Sequence, residues 1–349
     1  MFLRNYWYVA ATDTEVERKP LGRIILGEPI VFYRLEDGTP VALEDRCAHR
    51  HLPLSMGKLV GDTLQCHYHG LRYDKTGTCV RVPGQDMIPR SARVRSYPVV
   101  ERYHWLWIWM GDPALADPAK ITDYHWLDDP NWGAKGQYLH VKCNWQLVVD
   151  NLLDLTHLAF VHETTIGNSA LVDQAQVKVQ RTQDNVTVTR WIIDAPPPPT
   201  FVKAGGFTSN VDRWQIINFT PPAFLRLDVG ATPTGTGAPQ GQRVGGIGMW
   251  NLNAITPETE TTSHYFWGQA HNFDVHNPKT TDMITEQIRM AFLEDVAVFE
   301  AQQRNLQLIP NPPQTDINAD SGVIQARRIL DRLHQEEQTA AAAKMVAAE

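Results

Sequence analysis

Hydrophobic and polar positions alternate in short runs over the first third of the chain. Ile30-Val-Phe-Tyr33 and Val41-Ala-Leu43 are apolar segments that flank Glu36-Asp37-Gly38. An Asp-Gly pair between two such runs predicts a hairpin, because glycine accepts the positive φ that a tight turn requires. Trp105, Trp107 and Trp109 alternate with Leu106, Ile108 and Met110, which predicts a strand with both faces buried. Asp112-Pro113 and Asp117-Pro118 then break the pattern. We therefore expect an all-β domain over residues 1–115 and a second domain over 116–349.

The second part mixes the two periods. Residues 148–162 and 281–305 have helical spacing, whereas Val186–Ile193 and Phe224–Val229 read as strands. Helices beside strands of this kind predict an α+β domain. Pro196–Pro199 cannot join a ladder and is expected to be an extended loop. Ala231–Gly246, rich in Gly, Pro, Thr and Gln, reads as a long mobile loop, either functional or a solvated connection. The tail around Ala340–Ala343 can form helix.

Composition narrows the function classes. With 349 residues, 43 % hydrophobic and 20 % charged, the chain is long and apolar enough for two globular domains. A net charge of −7 with no basic block argues against general nucleic-acid binding. No apolar run is long enough to span a membrane, and the start Met1-Phe-Leu-Arg-Asn-Tyr-Trp7 lacks a signal-peptide pattern. Of four cysteines, Cys79 and Cys143 show no disulfide-framework spacing, which suits a reducing cytoplasm.

The remaining two cysteines stand in a distinctive order: Cys47-Ala-His49, sixteen residues, then Cys66-His-Tyr-His69. Each half supplies one thiolate and one imidazole. Two thiolates for one iron and two imidazoles for the other is the ligand set of a Rieske [2Fe–2S] centre. A structural zinc of Cys₂His₂ type is the alternative, although its motifs usually place cysteine with cysteine and histidine with histidine.

A second metal site is suggested by Asp150-Asn151-Leu-Leu-Asp154-Leu-Thr-His157-Leu-Ala-Phe-Val-His162. On one continuous helix, Asp150, Asn151, Asp154 and His157 form a polar stripe within an apolar segment, which is costly unless it binds something. His157 and His162 lie about 140° apart on an ideal helix and cannot chelate one ion from it. Either the helix ends near Val161 or it carries a π-bulge. Two imidazoles and one carboxylate make the facial triad of non-haem Fe(II) oxygenases. The carboxylate is sought in the second helix, where Ile284, Ile288, Ala291, Phe292, Val298 and Phe299 form an apolar stripe. Asp295 falls in its middle and Glu294 toward its edge, so Asp295 is the expected ligand; an arginine partner would be the alternative.

Together these motifs resemble the Rieske non-haem iron aromatic oxygenases over nearly the whole chain. Within them, Asp150–His157 with Phe160-Val-His162, Asp212-Arg-Trp-Gln215 and Ile255-Thr-Pro-Glu258 look like the vanillate O-demethylase and toluenesulfonate methyl-monooxygenase group. The resemblance implies an N-terminal Rieske domain and a C-terminal helix-grip catalytic domain. It implies a head-to-tail homotrimer in which Asp154 bridges His69 of one chain to His157 of the next. It also implies a separate NAD(P)H-dependent flavin and iron–sulfur reductase, and no dinucleotide motif appears in this chain.

The expected reaction is O-demethylation of a methoxylated aromatic acid such as vanillate, with O₂ as co-substrate and formaldehyde released. Hydroxylation of a methyl group on an aromatic sulfonate or carboxylate is the alternative. For the substrate, Arg226 in the strand Phe224-Leu-Arg-Leu-Asp228 is a candidate anion clamp, placed in the pocket by resemblance to dicamba demethylase. A surface salt bridge with Asp228 or another acid is the competing reading. Asn251 and Asn253 are further pocket candidates.

Overall fold

The computed structural model describes residues 2–162, 166, 175–309 and 312–347. Contacts divide the chain into two units. One is Met1–Ile121 with Thr256–Glu260, and the other is Thr122–Ile255 with Thr261–Glu349.

The first unit is built from short antiparallel strands. In chain order they are β1 (Trp7–Thr12), β2 (Leu21–Ile25), β3 (Glu28–Arg34), β4 (Pro40–Glu44), β5 (Lys58–Val60), β6 (Thr63–Gln65), β7 (Arg72–Tyr73), β8 (Cys79–Arg81), β9 (Ser96–Tyr97), β10 (Val99–Arg102) and β11 (Trp105–Trp109). They form sheets of order β1-β11-β10, β2-β3-β4-β9 and β5-β6-β7-β8. The Asp-Gly hairpin forms where the pattern predicts it. Gly38 turns at φ +86°, the Thr39 amide donates to the Asp37 side chain at 2.8 Å, and Arg34 pairs with Pro40. The strand β3 is apolar on both faces because each meets a core: Ile30 and Phe32 pack with Tyr8, Leu106 and Ile108, while Val31 and Tyr33 pack with Leu43, Leu54 and Leu64. The second of these clusters also contains Cys47 and Cys66, so the sulfur site is seated on the core itself. All five residues of β11 are buried, as their alternation predicts.

The second unit adds β12 (Gly133–Val141), α1 (Trp145–Leu153), α2 (Leu158–Val161), β13 (Gln176–Arg181), β14 (Val186–Ala195), α3 (Pro199–Gly205), β15 (Val211–Thr220), β16 (Phe224–Pro233), β17 (Ile247–Pro257), β18 (Ser263–His271), α4 (Pro278–Leu308) and α5 (Ser321–Ala347). The strands make one seven-stranded sheet of order β12-β18-β17-β16-β15-β14-β13. The helix α4 packs on β12 and β18, and α5 on β13, β14 and α1. A long helix held against an antiparallel sheet is the expected helix-grip arrangement, and the architecture is α+β. The apolar stripe of α4 supplies Ile284, Ala291, Phe292 and Phe299 as buried residues, with Asp295 buried among them.

Three local expectations need correction. The helix over 148–162 is not continuous, because Asp154 takes φ −115° and ψ 99° and stops α1. Pro199 is not in the loop but opens α3, where its missing N–H costs nothing at the first helical turn. Ala231–Pro233 belongs to β16, and the connection that follows is pinned rather than solvated throughout. In it Ala238 is buried, and Arg243 reaches back to the Asp228 carboxylate at 2.8 Å and lies over the Trp214 ring at 4.1 Å.

Phe32, at 0 % exposure, joins the two strands of the first core to β11. Phe32→Ala is expected to destabilise this unit by about 3–5 kcal/mol, the usual cost of a large aromatic-to-alanine cavity. Chemical denaturation followed by the near-UV signal of the tryptophans measures it; a loss below about 1 kcal/mol would mean that the core closes around the gap.

Candidate metal centres

The four motif residues of the first unit sit in two loops of the same design. The first follows β4 and the second joins β6 to β7. In each, the cysteine amide donates to the carbonyl five residues on, Cys47 to Leu52 at 2.9 Å and Cys66 to Leu71 at 2.8 Å. In each, the cysteine carbonyl accepts from the amide four residues on, from His51 at 2.9 Å and from Gly70 at 3.1 Å. That fourth residue turns back through positive φ, +61° at His51 and +73° at Gly70. Asp45 braces the first loop by accepting from the Ser55 amide and hydroxyl, both at 2.6 Å.

This design buries Cys47 and Cys66 and leaves His49 and His69 exposed. The donors pair by type. The two imidazole rings are 4.5 Å apart, and burial together with the neighbouring Cys47 thiol pushes the Cys66 thiol up. Only a strong positive charge nearby makes such thiols thiolates. The Tyr73 hydroxyl lies 3.3 Å from Cys47 Sγ and accepts from the Ala48 amide at 3.1 Å. A single tetrahedral zinc would draw all four donors around one point. Among the described residues, however, only His157, His162 and Asp295 bring three such atoms within 4.8 Å of one another. Sulfur beside sulfur and imidazole beside imidazole, without convergence on one point, fits a two-iron cluster and disfavours zinc.

The second centre arises from the broken helix. The Asp154 carboxylate caps the next turn, accepting from the Thr156 amide at 2.9 Å and its hydroxyl at 3.0 Å. A 3₁₀ turn, Leu155–His157, follows, then α2, and His162 leaves the helix at φ −110°. The helix thus ends at Val161, one of the two solutions that the five-residue spacing allowed. Changing helix type turns both imidazoles toward Asp295 of α4. His162 Nε2 is 3.1 Å and His157 Nε2 3.6 Å from Asp295 Oδ1, with the rings 5.3 Å apart.

Each member is held from behind. His157 Nδ1 donates to the Asp154 carbonyl at 2.6 Å, and His162 Nδ1 donates to Glu294 Oε2 at 2.6 Å. Asn151 donates to Asp295 Oδ1 at 3.3 Å. Such contacts set the tautomer and aim the Nε2 lone pairs at one point. Burial lowers the His157 pKa and favours a neutral ring, against the opposing pull of Asp295. At His162 burial acts the same way, but Asp295 and Glu294 outweigh it and raise its pKa. The two carboxylates thus demand a positive charge at this spot, and a cation seated among the donors meets that demand. The arginine partner considered for Asp295 is not what the fold provides: its ion pairs are with the two histidines. Glu294, expected only at the stripe's edge, proves to support His162. Asp150 is drawn away from the expected polar stripe into an ion pair with Arg327.

A cavity opens from this triad. His157, His162 and Asp295 line it with Leu155, Leu158, Leu227, Val229, Met249 and Phe292. The sheet contributes one face only, namely Arg213 and Gln215, Leu227 and Val229, Met249 and Asn251, and Gln269. Asn251 is therefore at the cavity, its amide donating to Gln269 at 3.1 Å. Asn253 is not among the lining residues. It is fully buried, donates to Asn251 at 2.8 Å and accepts from the Tyr265 and Tyr124 hydroxyls, each at 2.6 Å. Arg226 alternates with Leu227 and so lies on the opposite face of β16 from the cavity. The competing salt bridge to Asp228 is not formed either, because Asp228 binds Arg243 and the Trp214 indole N–H. The arginine that does face the cavity is Arg213, which sequence reading passed over. Its signal was present: Val211, Arg213, Gln215, Ile217 and Phe219 share one strand face, and two polar residues interrupt its apolar phase.

Known proteins agree with this layout. Residues 6–98 match the Rieske [2Fe–2S] domain model, and residues 141–336 match that of the vanillate O-demethylase oxygenase C-terminal domain. The chain is 46 % identical to the toluene-4-sulfonate monooxygenase system iron-sulfur subunit of Comamonas testosteroni, covering 95 % of this chain and 97 % of that one. It is 40 % identical to a vanillate O-demethylase oxygenase subunit of a Pseudomonas species, with 99 % of each chain covered. Dicamba monooxygenase bound to 3,6-dichlorosalicylic acid superposes with a TM-score of 0.90 at 37 % identity, over 97 % of this chain and 99 % of that one. Another crystal structure of that enzyme, with non-heme iron and dicamba, gives 0.83 at 35 % identity over the same shares. A [2Fe–2S] cluster and a mononuclear iron are thus the cofactors, and the chain is an O₂-dependent oxidoreductase. With both halves matched and relatives this similar over nearly its full length, the chain belongs to the Rieske non-haem iron oxygenases, in the group of the vanillate O-demethylase and toluenesulfonate monooxygenase oxygenase subunits.

Proposed function

We propose that the chain is the terminal oxygenase of a monooxygenase system that O-demethylates a methoxylated aromatic acid. The convergence of His157, His162 and Asp295 on one point beside an apolar cavity carries this reading. The overall balance is ArOCH₃ + O₂ + 2e⁻ + 2H⁺ → ArOH + CH₂O + H₂O. Methyl hydroxylation, ArCH₃ + O₂ + 2e⁻ + 2H⁺ → ArCH₂OH + H₂O, is favoured by a separate observation, the 46 % identity to a toluene-4-sulfonate system subunit. One cavity of this kind serves both, since either reaction oxidises a methyl C–H.

We assign Cys47 and Cys66 to one iron of the cluster and His49 and His69 to the other, and His157, His162 and Asp295 to the mononuclear iron. When bound, that iron supplies the O₂ activation and C–H oxidation. The protein's own work is positional. Glu294, Asn151 and the Asp154 carbonyl hold the three ligands, and Leu155, Leu158, Leu227 and Phe292 give the substrate ring an apolar seat that excludes water. The electrons come from a separate NAD(P)H-dependent flavin and iron–sulfur reductase. The working assembly is a homotrimer in which Asp154 joins His69 of one subunit to His157 of the next. Its carboxylate is half-buried and keeps acceptor capacity beyond its two bonds to Thr156, which supports that role. No helix among the described residues is long and apolar enough to cross a membrane; the setting we assign is a reducing cytoplasm, which suits Cys79 and Cys143, neither of them in a disulfide.

The functional test is a screen of methoxylated benzoates and methylated arylsulfonates with a compatible reductase, scoring formaldehyde and hydroxymethyl products separately. Formaldehyde from an aryl methyl ether is the expected outcome; hydroxymethyl products alone would transfer the assignment to the second reaction. Cys66→Ala is expected to abolish the red-brown colour and the reduced-state paramagnetic signal, and a colourless wild type holding zinc would refute the cluster. Asp295→Ala is expected to lose mononuclear iron and keep the cluster. Glu294→Gln keeps a neutral acceptor for His162 Nδ1 and should weaken iron binding about 10–100-fold, the usual effect of removing such support. Iron-to-sulfide ratios distinguish these cases, and equal iron loss in both variants would make Glu294 a ligand. Asp154→Asn should load both metals yet lose most turnover; near-normal cluster-to-iron electron transfer in that variant would make Asp154 a purely structural cap.

A further inference from the structure

Arg213 is a charged residue inside the cavity wall with no counterion beside it among the described residues. It is 3 % exposed, and neither Nε nor Nη1 finds a hydrogen-bond acceptor among the described residues. Its cross-strand neighbours are Ile192 on β14 and Ala231 on β16, neither able to accept from it through a side chain. The Phe201 ring covers the guanidinium at 5.0 Å and also lines the cavity. Among the described lining residues the only carboxylate is Asp295, and it is committed to the two histidines. Gln215, two residues along the same strand face, likewise has its side-chain oxygen unpartnered among the described residues.

We infer that Arg213 anchors an anionic group on the substrate ring, a carboxylate or a sulfonate, inside the cavity shared with His157, His162 and Asp295. The inference rests on the oxygenase reading and deepens it by naming the residue that holds the substrate's acid group. A guanidinium presents a planar fork of donors that matches either oxyanion, and it stays protonated in proteins. Burial and the nearby Arg190 push its pKa only to about 10, so the charge persists at neutral pH. A buried charge without a partner is unfavourable, and a ligand that brings the missing acceptor relieves it on binding. The apolar remainder of the wall suits the ring, and the triad at the other polar patch receives what the ring carries. This selects acids over neutral arenes of the same shape, because a neutral arene leaves Arg213 desolvated and unpaired.

The test is calorimetric binding to the iron-loaded trimer or monomer as purified, with 4-toluenesulfonate, a methoxybenzoate, and their neutral sulfonamide and benzamide counterparts. Wild type is expected to bind at least one acid more than tenfold tighter than its neutral counterpart. Arg213→Met should weaken that acid roughly tenfold to a hundredfold, the scale of a lost charged hydrogen bond, and leave the neutral ligand nearly unchanged. Arg213→Lys should recover part of the loss, and Arg226→Met, on the other sheet face, should change neither. The sulfonate and carboxylate arms show which oxyanion the site takes. Equal binding of acid and amide by wild type overturns the inference even where Arg213→Met fails to fold, and so does equal weakening of both ligands in that variant. Reductase-driven O₂ uptake separates the two readings: uptake stimulated by arenes regardless of charge sinks the anchor alone. No stimulation by any arene sinks the oxygenase reading with it.

Discussion

A negative charge buried in an apolar helix face governs the second unit. Asp295 is 4 % exposed and stands among Ala291, Phe292 and Phe299 on α4. In such surroundings a carboxylate must be neutralised, paired or ligating. The fold answers by bringing two imidazoles to it and by orienting both from behind. Glu294 beside it adds a second acid that His162 also meets, and the two carboxylates together raise the His162 pKa against its burial. The break at Asp154 follows from this demand, because an unbroken helix would turn His162 away from Asp295.

The first unit solves a different problem with opposite exposures. Its two thiols sit in the core cluster of Val31, Tyr33 and Leu64, while its two imidazoles reach the surface. At Cys66 burial favours the thiol over the thiolate, so a metal held there supplies the charge that keeps that sulfur ionised. Repetition of one loop design gives Cys47 and Cys66 the same backbone setting from two different places in the chain.

The sheet supplies much of the polar lining of the cavity. Because alternate residues of a strand face opposite ways, Arg213 and Gln215 enter the cavity while Trp214 and Arg226 do not. Asp228 and Arg243 pair on the outer face, which ties the 234–246 connection to β15 and β16 without touching the cavity. A single-residue shift in register would exchange these roles.

The sequence by itself determined the chemistry and much of the architecture. The order of Cys47, His49, Cys66 and His69, the alternation at β3 and β11, and the apolar stripe around Asp295 are local patterns, and local patterns survive without knowledge of distant contacts. It also showed that His157 and His162 could not share a regular helix. Which way the chain resolves that conflict was decided by tertiary structure, since the reward for breaking at Asp154 lies on α4, more than a hundred residues away. The same holds for Glu294 and Asn151, whose partners are set by packing. It holds also for Arg213 against Arg226: both are arginines in alternating strands, and only the side on which the helices cover the sheet tells which one faces the cavity.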